Sequence, residues 1–112
     1  MDIRYPLSND TWGKEELDAL ESVISSGQFT MGKQVAAAEQ AVAAYFGSRY
    51  AVMSSSGSAA NLLAVASMVY SGKLARGDEI LVPAVSWSTT YFPLEQMGLK
   101  MRLVDIDPET LN

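Results

Sequence analysis

The first half of the chain carries the apolar periodicity of two amphipathic helices. The first predicted helix follows the capping candidates Asp10 and Thr11 and ends at Gly27, with leucine and isoleucine at helical spacing between them. The second ends at Gly47. Its predicted buried face contains Val35, Ala38, Val42 and Tyr45. The residues between the helices, 28–34, break the pattern and predict a loop.

The second half alternates between short apolar runs and helical patterns. Three runs predict strands: Tyr50 to Met53, Glu79 to Pro83 and Met101 to Val104. Helical patterns over residues 58–71 and 88–97 separate them, and Pro93 is expected in the first turn of the latter helix, where its missing N–H is not needed. Strands that alternate with helices predict parallel βαβ units and the α/β class.

The chain of 112 residues is expected to be one incomplete domain. We predict an N-terminal helical segment over residues 1–49 and the start of a parallel sheet over residues 50–112. Three strands are few for such a sheet, and Asp107-Pro108-Glu109 has the pattern of a cap and first turn whose helix the sequence does not complete. The expectation is therefore that residues 1–112 are the N-terminal part of a larger α/β domain.

Composition excludes several classes of function. The net charge of −5, without a basic cluster, argues against nucleic-acid binding. The absence of cysteine excludes disulfides and thiolate zinc sites, and the absence of histidine removes the commonest general base and metal ligand. No apolar run approaches the roughly 20 residues that span a bilayer, and Met1 to Pro6 lack a signal-peptide pattern. We expect a cytoplasmic protein with no membrane contact.

The most informative segment is Ser54 to Asn61, which joins the first predicted strand to an almost wholly apolar helix. Small hydroxylated residues and Gly57 at a helix N-terminus present several N–H groups, and the positive end of the helix dipole, to an anion. The segment lacks the patterns of a P-loop, a dinucleotide fingerprint and a nucleophile elbow. The alternative is a plain strand-to-helix turn capped by Ser56 or Ser58.

Trp87 follows the second predicted strand and strengthens the case for a ligand site. Loops that leave the carboxyl ends of parallel strands converge on one crevice, so this loop and the turn at Gly57 are expected at the same sheet edge. An indole there can stack on a planar ring. Core packing is the alternative and the commoner role of a lone tryptophan, but the polar neighbours of Trp87 favour an accessible position.

A metal site is not expected. Asp105 and Asp107 form the nearest approach to a ligand pair, but no histidine or further nearby carboxylate completes an oxygen shell. The preferred interpretation of these two residues is a turn and a helix cap.

Residues 26–112 resemble the N-terminal part of the pyridoxal-phosphate (PLP)-dependent sugar aminotransferases of the DegT/DnrJ/EryC1/StrS type. Five segments in the same order carry this resemblance: residues 27–32, residues 56–62, residues 77–83, the Trp87 loop, and residues 104–107. The resemblance implies the fold-type-I fold of PLP-dependent transferases, with this chain supplying the start of its large domain.

The resemblance also implies roles for individual residues. Ser58 takes the place of a family threonine, and the turn formed by Gly57, Ser58 and Ala59 would hold the cofactor phosphate. Trp87 matches the aromatic residue that stacks on the pyridine ring. The segment that matches the substrate-pocket loop near the subunit boundary consists of Phe29, Thr30 and Met31. The implied cofactor is pyridoxal 5'-phosphate, and the implied assembly is a homodimer.

The leading functional interpretation is amino transfer, from a donor such as glutamate, to the keto group of a nucleotide-linked sugar in amino-sugar, surface-polysaccharide or antibiotic-sugar biosynthesis. The Schiff-base lysine of the family is not in this chain, so no catalytic residue is assigned here and the chain alone is expected to be inactive. Two departures from the family pattern are Phe92, where many members have asparagine, and a longer spacing before Gly77.

Two alternatives keep the same fold. Residues 57–62 and 89–93 also resemble the branch of 3-dehydrases that act on nucleotide-linked 4-keto-6-deoxyhexoses, in which a histidine replaces the lysine. The other alternative is a non-catalytic binding or regulatory module that retains the pocket.

Overall fold

A computed structural model describes residues 8–110 in two compact units, divided between residues 51 and 52. The predicted boundary after residue 49 lies close to this division. The segment Met1–Pro6, considered above for a signal peptide, lies outside the described residues, as does any continuation of the helix expected after Asp107. Among the described helices, none has the length and apolar character needed to cross a membrane.

The first unit contains two helices, α1 (Lys14–Ser26) and α2 (Lys33–Phe46). Both end as predicted, at Gly27 and Gly47, whose φ angles of 67° and 65° lie in the left-handed region that glycine adopts without strain. The loop predicted over residues 28–34 is confirmed over residues 28–32, whereas Lys33 and Gln34 already belong to α2.

The predicted cap of α1 is wrong. The helix is capped at Gly13, and neither Asp10 nor Thr11 is its N-cap. The carboxylate of Glu16 accepts a hydrogen bond from the Gly13 N–H at 2.7 Å. A side chain inside the first turn thus reaches back to the backbone of the N-cap residue. The same bond lowers the pKa of the Glu16 carboxyl.

The predicted buried face of α2 is partly wrong. Val35 and Ala38 are half-buried, but the buried residue of the helix is Ala43, and Tyr45 is 83% exposed. The ring of Tyr45 instead meets Phe46 edge-on, with centroids 5.0 Å apart. The small Ala43 side chain can be covered within this unit, whereas a tyrosine ring needs a larger apolar surface.

The second unit contains α3 (Gly57–Tyr70), β1 (Glu79–Pro83), α4 (Ser88–Gln96) and β2 (Lys100–Val104). The two strands pair in parallel, from Glu79 opposite Lys100 to Pro83 opposite Val104. Parallel neighbours need a crossover, which α4 provides, and the predicted βαβ unit and α/β class are confirmed.

The strand predicted over residues 50–53 is wrong for the described part of the chain, whose sheet has two strands. A strand exists only where a neighbour completes its backbone hydrogen bonds. The apolar run from Tyr50 to Met53 is not part of the described sheet, so its β propensity alone does not make it a strand.

The predicted place of Pro93 is also wrong. The helix α4 begins at Ser88, so Pro93 is its sixth residue and lies beyond the first turn, with its side chain buried. Proline at such a position deprives the carbonyl of Thr89, four residues earlier, of its helical donor. This carbonyl is therefore open to another donor, either a side chain from outside α4 or water.

The hydrophobic core of the second unit is small. Its buried members are Val82, Leu94 and Leu99, one each from β1, α4 and the turn before β2. Half-buried apolar side chains from α3 and from both strands pack around them. Side chains alternate between the two faces of a strand, and Leu81, beside the buried Val82, is 75% exposed.

We predict that the isolated 112-residue chain does not unfold cooperatively as a dilute monomer. The described residues bury few large apolar side chains, and the β1–β2 ladder leaves sheet edges and apolar faces uncovered. Circular dichroism during heating, with sedimentation equilibrium to establish the monomeric state, measures this. A single sharp transition at a concentration where the chain is monomeric would contradict the prediction.

Candidate cofactor site

The turn that enters α3 is capped by Ser56. Its hydroxyl Oγ accepts a hydrogen bond from the Ala59 N–H at 3.1 Å, and its carbonyl accepts from the Ala60 N–H at 2.9 Å. Ser54 Oγ donates to the same carbonyl at 3.1 Å. Ser56 has an extended backbone, as an N-cap residue does. One of the two capping candidates in the sequence, Ser56, is thus the cap.

Capping leaves part of this turn free to bind a ligand. Within the described part of the chain, the N–H groups of Gly57 and Ser58 have no acceptor, and the Ser58 hydroxyl has no hydrogen-bond partner. A side chain added at Gly57 would enter open space. Two free N–H groups and a hydroxyl at a helix N-terminus suit an anion such as phosphate. The Ala59 N–H is occupied by Ser56, and its predicted contact with phosphate stays a prediction.

Trp87 lies at the start of α4, as its N-cap residue, and its side chain is 76% exposed. This exposure excludes core packing within the described residues and confirms the expectation of an accessible indole. The loop that carries it is held on both sides. Tyr91 OH donates to the Pro83 carbonyl at 2.7 Å, and Ser86 Oγ donates to Thr90 Oγ1 at 3.0 Å.

The structure brings the turn and α4 together. Asn61 Nδ2, on α3, donates to the Thr89 carbonyl on α4 at 3.2 Å. A cleft of about 210 Å³ opens beside this contact. It is lined by Ser58, Ala59, Leu62, Thr89, Phe92, Pro93 and Gln96. The family departure Phe92 therefore lies beside Ser58 and Ala59, two of the three predicted phosphate residues.

Sequence reasoning missed Asn61 and Thr89. A proline inside a helical pattern deprives the carbonyl four residues earlier of its donor, which identifies position 89 as an acceptor in need of a partner. No comparable signal in the sequence identifies Asn61 as the donor, because the two residues are 28 positions apart.

The predicted substrate loop lies in the first unit. Phe29 and Met31 are 70% and 79% exposed, and the φ of Met31, 35°, is the one positive value at a non-glycine residue in the described chain. Phe29 and Thr30 line a cleft of about 310 Å³ between the end of α1 and the start of α2. Exposed apolar side chains around a cleft suit ligand contact, and the substrate role of Phe29, Thr30 and Met31 stays a prediction.

The carboxylates after β2 are structural. Asp107 Oδ1 accepts hydrogen bonds from the N–H groups of Glu109 and Thr110 at 2.7 and 3.1 Å, which lower the pKa of the Asp107 carboxyl. Asp105 Oδ1 accepts from the Ile106 N–H. The turn is confirmed, while the continuation of the helix that Asp107 is predicted to cap lies outside the described residues. Among residues 8–110, no group of three or more carboxylate, histidine or cysteine side chains is arranged to hold a metal ion.

Comparison with known proteins identifies the family. The model of the DegT/DnrJ/EryC1/StrS aminotransferase family matches residues 10–112. The chain belongs to this family. The match begins earlier than the resemblance seen in the sequence, which started at residue 26, and it includes α1.

The chain is also similar to individual members of the family. A GDP-4-keto-6-deoxy-D-mannose 3-dehydratase of Yersinia pseudotuberculosis is 55% identical to it, over 98% of this chain and 28% of the relative. The solved structure of the Escherichia coli enzyme of that name, with bound hydrated PLP, superposes with a TM-score of 0.90 at 55% identity, over 98% of this chain and 29% of that one. A further structure of such a dehydratase, with a trapped PLP–glutamate geminal diamine, has a TM-score of 0.90 at 54% identity, over 97% and 29%.

These comparisons confirm the predicted fold and the predicted cofactor of the family. The chain spans less than a third of the length of the relatives it matches. The leading interpretation, amino transfer, is not confirmed, because the relatives at 54–55% identity are dehydratases. They support the alternative, a 3-dehydrase, better than they support an aminotransferase.

We predict that Ser56→Ala lowers the free energy of unfolding of the full-length protein by about 1 kcal/mol, the typical contribution of a side-chain N-cap. Ser55→Ala is the matched control, because Ser55 lies in the same turn, is exposed and makes no side-chain hydrogen bond among the described residues. Denaturant unfolding of the two variants measures the difference. Equal losses in both would show that the Ser56 cap does not stabilise α3.

Proposed function

We propose that this chain is part of a PLP-dependent 3-dehydratase that acts on a nucleotide-linked 4-keto-6-deoxyhexose. The observation that carries the proposal is the 55% identity, over 98% of the chain, to proteins described as GDP-4-keto-6-deoxy-D-mannose 3-dehydratases. GDP-4-keto-6-deoxy-D-mannose is therefore the first substrate to test. The proposed protein is cytoplasmic and homodimeric.

The residues of the second unit fit the phosphate of the cofactor. The free N–H groups of Gly57 and Ser58 and the hydroxyl of Ser58 would donate to phosphate oxygens, and the dipole of α3 would favour their negative charge. The Ala59 N–H would join them if Ser56 Oγ released it. None of these donors carries a charge, which agrees with phosphate binding by an acidic chain.

Trp87 would hold the other end of the cofactor. Its exposed indole presents an aromatic face that can stack on the pyridine ring, and stacking both orients the ring and excludes water from one side of it. When bound, the cofactor supplies the electron sink for bond cleavage next to the sugar carbonyl. The contribution of this chain is binding and orientation.

The proposed substrate contacts come from the first unit. Phe29, Thr30 and Met31 form an exposed loop whose cleft would receive part of the nucleotide-linked sugar. Glutamate is the proposed amino donor, since a related dehydratase has been solved with a trapped PLP–glutamate geminal diamine.

A sugar aminotransferase is the second candidate. The observation in its favour is the family that matches the chain, which is described as an aminotransferase family. Both candidates would use the same phosphate turn and the same indole, so residues 1–112 do not distinguish them. The residue at the Schiff-base position of the full-length protein would distinguish them. Histidine there favours dehydration and lysine favours amino transfer, whereas the absence of both residues favours a non-catalytic module.

The reaction itself provides the direct test. We expect the full-length protein, supplied with PLP, glutamate and GDP-4-keto-6-deoxy-D-mannose, to yield a sugar nucleotide that has lost one oxygen atom, detected by mass spectrometry. Replacement of the carbonyl oxygen by an amino group would instead establish the aminotransferase. A full-length protein that retains no PLP absorbance after removal of unbound PLP, and that converts no substrate, would contradict both.

Two substitutions test the proposed cofactor contacts. We expect Ser58→Ala to weaken PLP binding by about tenfold or more, because it removes a hydrogen bond to a charged group. We expect Trp87→Ala to weaken it by about tenfold through lost stacking. Absorbance titration of the full-length protein measures both affinities. Ser55→Ala and Trp12→Ala are matched controls at residues to which no cofactor contact is assigned, and equal effects of a control and its partner would contradict the assignment.

A further inference from the structure

A proline inside α4 creates the need for a hydrogen bond from another helix. Pro93 has no N–H, so the Thr89 carbonyl, in the first turn of α4, cannot accept the bond that a regular helix would supply. Thr89 lies two residues after Trp87, so its carbonyl belongs to the turn that carries the indole loop.

Asn61 supplies the missing donor. Its side-chain Nδ2 donates to the Thr89 carbonyl at 3.2 Å. Asn61 follows Gly57 by four residues on α3, about one helical turn from the free N–H groups at the helix start. A single side chain therefore connects the helix that presents the proposed phosphate donors to the helix that presents the proposed stacking ring.

The other hydrogen bonds around the loop do not connect these two helices. Tyr91 OH ties α4 to the end of β1, and Ser86 ties the loop to Thr90 within α4. Within the described part of the chain, the Asn61 bond is the hydrogen bond that joins α3 to α4. The separation between Ser58 and Trp87 then depends on it and on apolar packing.

We propose that Asn61 is a positioning residue that replaces the hydrogen bond lost at Pro93 and so sets the distance from the phosphate turn to the Trp87 indole. The proposal rests on the proposed function, because it assigns the phosphate of PLP to the turn and its ring to Trp87. Asn61 would contact neither the phosphate nor the ring of PLP and would act through the first turn of α4.

A double-mutant cycle in the full-length protein tests the proposal. Asn61→Ala removes the donor without adding charge, and Pro93→Ala returns an N–H at the position from which a helix would bond to the Thr89 carbonyl. We expect Asn61→Ala to raise the Kd for PLP by about threefold to tenfold in the parent protein, as for the loss of one hydrogen bond. In the Pro93→Ala background we expect it to change the Kd by less than about twofold.

A second ligand separates positioning from general destabilisation. Inorganic phosphate uses the turn alone, so its affinity, measured by competition with PLP, should change by less than about twofold in Asn61→Ala. PLP uses both the turn and the ring and should be weakened. The melting temperature of the apo protein across the same four variants shows whether Asn61 and Pro93 are coupled without any cofactor, and Asn61→Leu provides a second donor-free variant if Asn61→Ala does not fold.

Three results would overturn the proposal. Equal effects of Asn61→Ala with and without Pro93 would show that Asn61 does not replace the proline's missing bond. Equal losses of affinity for PLP and for phosphate would show that Asn61 supports the turn and not its distance to Trp87. An unchanged Kd for PLP would show that the bond does not matter to the site. A parent protein that binds no PLP would instead contradict the proposed function, while the melting temperatures would still decide whether Asn61 and Pro93 are coupled.

Discussion

The parallel pairing of β1 and β2 is the constraint on which the second unit depends. Backbone hydrogen bonds extend it beyond the strands themselves, from Gly77 N–H to the Gly98 carbonyl before them and from Ala84 N–H to the Val104 carbonyl after them. Because parallel strands cannot be joined by a tight turn, the chain must cross over, and α4 is that crossover. The pairing therefore places α4, which follows its N-cap residue Trp87, against the sheet, and the indole loop leaves from the carboxyl end of β1.

Helix α3 completes this arrangement through two different uses of its first turn. Ser56 satisfies the Ala59 N–H and stabilises the helix start, while the N–H groups of Gly57 and Ser58 stay free for an anion. The cap and the anion site were alternatives in the sequence, but they use different donors of the same turn and so are compatible. Because its own serine stabilises the helix start, the turn can keep its conformation when no ligand is bound.

The features of the described residues suit binding of a cofactor and a substrate. Its described residues offer donors for a phosphate, an exposed aromatic face and an exposed apolar loop. Both proposed activities would use these binding features: the family that matches the chain is described as an aminotransferase family, and relatives at 55% identity are dehydratases. Phe92, which departs from the pattern of the family that the sequence resembles, lines the cleft beside Ser58 and Ala59.

The sequence by itself determined the local features: the helix ends at Gly27 and Gly47, the βαβ order, and a hydroxylated turn before α3, because each follows from backbone preferences and from apolar periodicity. Only the tertiary structure decided which elements find partners. In the described part of the chain, residues 50–53 are not one of the paired strands and Tyr45 stays exposed. Pro93 lies inside α4, and the Thr89 carbonyl accepts a hydrogen bond from Asn61, 28 positions away. Hydrogen bonds and burial between distant residues depend on how the chain folds back on itself, which short-range patterns do not record.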